Sequence, residues 1–126
     1  MAKILVIDDD ARDRELLAAV LEERGYQVTS AENGRTGLTL CHRGVPDAVV
    51  LDLDMPGIDG RSLLRQLRTL HPSLPVVVFS GRSAEEVEEE LLNQGATAFI
   101  QKAFSQDKLG PALQEVLPSP ATNKPK

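Results

Sequence analysis

The chain has 126 residues, enough for one compact domain with a hydrophobic core and too few for a second of similar size. Hydrophobic residues make up 41% and charged residues 26%, ordinary for a soluble globular protein, while aromatics at 3% require an aliphatic core. A net charge of −5 argues against general binding to nucleic acid or to an anionic membrane surface.

The opening "MAKILVIDDD" is too short in its apolar part and too acidic for a signal peptide, and no later run approaches the length of a membrane span. A cytoplasmic location is therefore expected. Within it "KILVI" (3–7) is a continuous apolar run, read as a buried strand. "ARDRELLAAVLEERG" follows, with Leu16, Leu17, Val20 and Leu21 on one helical face, Asp10 as N-cap and Gly25 closing the C-terminus. "YQVTSA" (26–31) alternates like an edge strand, and "NGRTGLTLCHRG" reads as a weaker helix ending near Gly44. It carries the single cysteine, Cys41, so no internal disulfide can form and a reducing compartment fits.

"DAVVL" (47–51) is the third strand. After an acidic loop, "GRSLLRQLRTLH" aligns Leu63, Leu64, Leu67 and Leu70 on one helical face, and Pro72 stops that helix. "PVVVF" (75–79) precedes "SAEEVEEELLNQG", whose Ala84, Val87 and Leu91 point inward, with Gly95 past the end. "TAFI" (97–100) is the last strand, and a final helix lies between Gln106 and Leu117. Its Gly110 and Pro111 are awkward, because an interior proline costs about 3 kcal/mol. The helix is expected either to begin at Pro111 or to kink there. "PSPATNKPK" offers no apolar residue that could pack as an element. Residues 118–126 are thus expected to be a flexible tail or the start of a linker after a domain of residues 1–117.

Five strands alternating with five helices specify a parallel sheet covered on both faces. The runs "ILVI", "AVVL" and "VVVF" look buried on both sides and should be central, leaving "YQVTS" and "TAFI" as edges. A doubly wound, flavodoxin-like α/β sheet in the order 2-1-3-4-5 satisfies this.

In such a sheet, ligands bind at the carboxyl ends of the strands near the reversal of strand order. The residues at those ends are Asp8 and Asp9 after strand one, Asp52 after strand three, Ser80 after strand four and Lys102 after strand five. Three crowded carboxylates repel one another and call for a cation, and oxygen ligands alone select Mg²⁺ or a similar hard ion such as Mn²⁺. Lys102 and Ser80 remain to hold an anion. A carboxylate can attack phosphorus to form an acyl phosphate, with the cation and Lys102 neutralising the charge on the phosphoryl oxygens. The serine hydroxyl could then donate to a phosphoryl oxygen and pull its loop inward. That is a phosphorylation switch rather than a turnover enzyme.

Asp8–Asp9, "DLDMPGIDG" (52–60), "VVVFSG" (76–81) and the lysine in "FIQKAF" (99–104), in this order and spacing, resemble the response-regulator receiver domain of two-component signalling over residues 3–117. The resemblance implies Asp52 as phosphoacceptor for a sensor histidine kinase or phosphotransfer protein, and a downstream protein effector as target. It implies a metal held directly by Asp9, Asp52 and the backbone carbonyl of Asp54, and through water by Asp8. Ser80 would be the switch hydroxyl, Lys102 the phosphate-binding lysine, and Phe99 the aromatic that turns inward. The chain departs from the family in having Ala103 after the lysine where proline is usual, so a trans bond or a strained cis one is expected there. Phe99 replaces a commoner tyrosine. Asp54 and Arg82 occupy variable positions beside the site, and the small Gly81 should leave a phosphoryl group accessible.

Blander readings stand beside these. Asp10 is expected simply to cap its helix, and "EEVEEE" (85–90) to be a solvated face. His42 and His71 are expected at the surface. "DLDMPG" resembles the Asp-x-Asp start of a haloacid-dehalogenase-type phosphatase, though that motif normally follows a first strand. A calcium loop fails, because Leu63 stands where its late acidic ligand belongs. A receiver-fold interaction module that signals without phosphorylation is the alternative function. No segment here reads as an output domain, so direct binding to nucleic acid or to a membrane is not expected of this chain.

Overall fold

The structure, a computed structural model, describes residues 1–53, 60–102 and 106–120, apart from the side chains of residues 84, 106 and 107. Its elements alternate along the chain: β1 (Lys3–Ile7), α1 (Ala11–Glu23), β2 (Gln27–Ala31), α2 (Gly34–Arg43), β3 (Ala48–Asp52), α3 (Gly60–Leu70), β4 (Val76–Ser80), α4 (Ala84–Asn93), β5 (Ala98–Gln101) and α5 (Gln106–Val116). All strand pairs are parallel, in the order β2-β1-β3-β4-β5. Every residue of β3 and β4 is buried, whereas β2 and β5 are partly open. This is the doubly wound sheet that the apolar runs require.

Because side chains alternate across a strand, each central strand feeds two cores. Val49, Leu51, Val76 and Val78 pack with Leu63, Leu64 and Leu67 of α3 and with Val87 and Leu91 of α4. On the other face Val6, Val50, Val77 and Phe79 pack with Leu17 and Leu21 of α1 and with Leu109 and Leu113 of α5.

Local chemistry sets the ends of the helices. The Asp10 carboxylate accepts from the N–H groups of Arg12 and Asp13, at 2.8 and 3.3 Å, as the N-cap of α1. Gly25 and Gly95 take positive φ (96° and 110°) just past α1 and α4. The next residues, Tyr26 and Ala96, donate back to Leu21 and Leu91, closing both helix ends in the same way.

Three expectations are corrected. Leu70, the last residue of α3, is 48% exposed and lines a shallow depression with Val45 and Pro46 instead of joining the buried leucines of its helix. Of the two alternatives for α5, a start at Pro111 is overturned: the helix begins at Gln106, the near end of the expected range, with the proline inside it. Leu109, Leu113 and Leu117 form one buried stripe through that position. Burying each is worth about 1.5–3 kcal/mol, enough to offset a proline cost of about 3 kcal/mol. Strands β3 and β4 each extend one residue further than expected, so Asp52 and Ser80 are the last residues of their strands.

Past Leu117, Pro118 accepts from the Tyr26 hydroxyl at 2.6 Å and Pro120 from the Ala2 N–H at 3.1 Å. Residues 121–126 lie outside the described residues.

Candidate functional site

Strands β1, β3 and β4 all end at one edge of the sheet, and each delivers a polar residue there that burial would penalise without partners. Asp8 is 1% exposed, Asp52 4% and Ser80 0%. Asp9 is exposed to solvent. Carboxylate oxygens of Asp8, Asp9 and Asp52 lie within 4.8 Å of one another. Lys102, just after β5, is held by its N–H on the Ser80 carbonyl at 2.8 Å. Its ammonium lies 3.5 Å from Asp52 Oδ1 and 3.7 Å from Asp8 Oδ2, and 5.4 Å from the centroid of the Phe79 ring.

The pleat divides the site. Asp52 has the parity of Val50 and Ala48 on β3, which face α1 and α5, and Lys102 that of Ile100. Ser80 and Phe99 have the opposite parity, shared with Val78, on the side of α3 and α4. Phe99 is half-buried, paired with Val78 across the strands, and packs against the cluster that includes Val87 and Leu91 of α4. The charged groups therefore sit over one face, and Ser80 and Phe99 on the other.

Electrostatics follow from this crowding. Asp8 Oδ1 accepts from the Asp10 N–H at 2.9 Å, but its buried Oδ2 has no hydrogen-bond partner. Burial pushes the Asp8 carboxyl up to about 7, and the Asp52 charge adds to this against the opposing pull of the Asp10 N–H and Lys102. Burial alone would lower the Lys102 ammonium, yet its hydrogen bond to Asp13 and the charges of Asp52 and Asp8 outweigh this and raise it. A second cation near the three carboxylates would relieve what one lysine leaves. The donor set fits a hard divalent ion: carboxylate oxygens only, gathered within 4.8 Å, with the buried Asp8 Oδ2 lacking a hydrogen bond.

Ser80 Oγ accepts from the Arg82 N–H at 3.1 Å, fixing the turn into α4. Ser83, the N-cap of that helix, makes no side-chain capping bond. Gly81 is exposed, with open space where a Cβ would stand. A Cβ on Gly60 would overlap the Leu53 carbonyl, so the backbone at Gly60 can lie this close to Leu53 only as a glycine; residues 54–59 between them lie outside the described residues. Asp54 is among these, and Ala103 likewise lies outside the described residues. No cis peptide bond occurs among the described residues.

Asp13 was not singled out by sequence motif, yet it makes the shortest contact to Lys102, at 2.7 Å. An acid in a first helical turn ordinarily reads as a partner of the helix dipole, which hides it. The usable signal is its place one turn into the helix that starts from Asp8–Asp9. Arg14, on the same turn, donates to the Asp8 carbonyl at 2.7 Å.

The sequence model of the family described as response regulator receiver domain matches residues 4–114. Response regulator MprA of Mycolicibacterium vanbaalenii is 38% identical over 115 residues, 91% of this chain and 50% of that protein. The virulence transcriptional regulatory protein PhoP of Salmonella typhimurium is 32% identical over 117 residues, 93% and 52% of the two chains. The chain thus spans about half the length of the curated relatives it matches. Among solved structures, Vibrio cholerae chemotaxis protein CheY4 superposes with a TM-score of 0.85 at 28% identity, covering 93% of this chain and 99% of that one. The receiver domain of NtrX from Brucella abortus superposes with a TM-score of 0.83 at 34% identity, covering 90% and 97%.

Proposed function

The chain belongs to the response-regulator receiver family, the signalling modules of two-component systems, and from that premise we propose that it is a switch phosphorylated on Asp52. The observation that carries this reading is the meeting of three carboxylates within 4.8 Å beside a lysine 3.5 Å from Asp52. Neither a helix cap nor a solvated acidic face accounts for two of those acids being buried.

An Asp52 oxygen attacks the phosphorus of a phosphohistidine on a sensor kinase or phosphotransfer protein. The P–N bond breaks as the P–O bond forms, and the imidazole leaves with the electron pair and gains a proton. Asp9, Asp52 and the Asp54 carbonyl would hold Mg²⁺ or Mn²⁺, with Asp8 reaching it through water. The ion supplies positive charge for the phosphoryl oxygens. Lys102, its backbone fixed on Ser80 at the end of β4, closes its ammonium on a second phosphoryl oxygen.

Ser80 carries the signal across the sheet. To donate to the phosphoryl group its hydroxyl moves, giving up the bond from Arg82 that fixes the turn into α4. No side-chain cap at Ser83 adds to what holds the first turn of that helix, so the turn can adjust while Val87 and Leu91 stay in the core. Phe99, packed toward α4, fills the space, so the α4/β5 surface changes and a downstream protein reads it. The domain is a signalling module whose chemistry serves its own modification.

The test is phosphoryl uptake from a small donor such as phosphoramidate with Mg²⁺, read by intact mass. One added phosphoryl group, absent in Asp52→Asn, is expected. No uptake by a protein that still binds Mg²⁺ would favour an interaction module that signals without phosphorylation. Release of the phosphoryl group from many added substrates would favour a phosphatase.

A further inference from the structure

Lys102 is held more tightly outside the carboxylate trio than within it. Its ammonium lies 2.7 Å from Asp13 Oδ2, against 3.5 Å from Asp52 Oδ1 and 3.7 Å from Asp8 Oδ2. Only the first is a hydrogen-bond distance. Asp13 sits in the first turn of α1 with its side chain 27% exposed, and Lys102 is the one partner of its carboxylate among the described residues. The backbone of Lys102 is pinned to Ser80, so the ammonium can move only by changes within its own side chain.

We propose that Asp13 is a positioning residue that parks Lys102 a step back from the site. There the ammonium does not compete with a cation for the Asp8 and Asp52 carboxylates, and Asp13 yields it when a phosphoryl anion arrives. The move required is small, since a shift of about 0.7 Å brings the ammonium to a charge-assisted hydrogen-bond length of about 2.8 Å from Asp52. The anion half of this proposal rests on the phosphorylation reading; the cation half stands without it.

Removing Asp13 releases the lysine onto the trio. Cation binding then weakens, because the ammonium neutralises the same oxygens, and anion binding tightens, because Lys102 no longer has a competing partner. Loss of a negative charge alone pushes both constants the same way. The share that depends on Lys102 is therefore what identifies the positioning role, and a double-mutant cycle isolates it.

The experiment compares the full chain, Asp13→Asn, Lys102→Met and the double variant. Dissociation constants for Mg²⁺, and for beryllofluoride at saturating Mg²⁺, are read from amide chemical shifts. In Asp13→Asn, Mg²⁺ should bind about fivefold more weakly and beryllofluoride about fivefold more tightly, the upper range for a partly exposed pair. Both changes should shrink to about twofold or less when Lys102 is methionine, as for a bare charge screened by solvent. Asp13→Glu, which keeps a carboxylate within reach of Lys102, should stay within about twofold of the parent. Equal changes with and without the lysine, or unchanged constants alongside a lowered melting temperature, would overturn the positioning role. If the parent itself fails to bind beryllofluoride, the phosphorylation reading falls. The Mg²⁺ cycle then decides alone: a weakening that depends on Lys102 upholds the role of Asp13, and one that does not removes it.

Discussion

Asp8 bears a clear electrostatic cost in assembling this site. Its carboxyl rises from the ordinary 3.8 to about 7 in the folded chain, chiefly through burial. The unfolded chain therefore loses this proton first as pH rises, and the folded chain holds it until about 7. The stabilising contribution is whole below pH 3.8 and is lost progressively up to about 7. At higher pH the metal-free protein should gain on the order of 3 kcal/mol from Asp8→Asn, which keeps an oxygen to accept from Asp10. Thermal melts at pH 5 and pH 8 check this, and an Asp8→Asn protein less stable than the parent at pH 8 would contradict it. Mg²⁺ affinity should likewise strengthen as pH rises through about 7, because the Asp8 proton must leave before its charge can serve a cation. The residues of the trio and Lys102 were legible because their types and strand-end positions match. Asp13 was not, because its partner lies 89 residues away and its local context suffices to explain an acid there.

At the scale of elements, two glycines at helical positions separate backbone constraint from side-chain accommodation. Gly60 abuts the Leu53 carbonyl, and that backbone has nowhere to go. Gly60→Ala should cost about 1–3 kcal/mol, seen as an earlier urea midpoint. Gly110 instead gives room to the Arg24 guanidinium, which donates to Gln114 at 2.6 Å. That side chain can swing away, so Gly110→Ala should be neutral or stabilise by up to about 1 kcal/mol through helix propensity. Element types and strand order were readable because apolar runs and helical faces follow from burial. How α5 accommodates Pro111 was not, because proline propensity is local while the Leu109–Leu113–Leu117 stripe draws its stability from packing against α1 and the sheet. Ser80→Ala belongs to this scale too. It should leave phosphoryl uptake by Asp52 within about threefold of the parent, a change of under 1 kcal/mol. The accompanying amide shifts in α4 should fall by more than half, and equal responses in the two proteins would sink Ser80 as the link between site and helix.

Across the whole molecule, the sheet serves as a partition. Acids and lysine gather over the α1/α5 face, Ser80 and Phe99 face α3 and α4, and β4 lies between them as a buried strand. The end of that strand, where Ser80 stands, is one place where the two sides meet. The chain spans about half the length of the curated relatives it matches. No helix among the described residues is long and apolar enough to cross a membrane. The central claim is that Asp52 receives a phosphoryl group and that the change reaches α4 and β5. The most direct measurement follows amide shifts while adding Mg²⁺ and then beryllofluoride, a phosphoryl mimic, with Asp52→Asn as control. The account predicts saturable shifts spreading from Asp52 through Ser80 to Phe99 and the start of α4, absent in the control. Shifts with Mg²⁺ but none with the mimic, or shifts confined to the carboxylate edge, would contradict it.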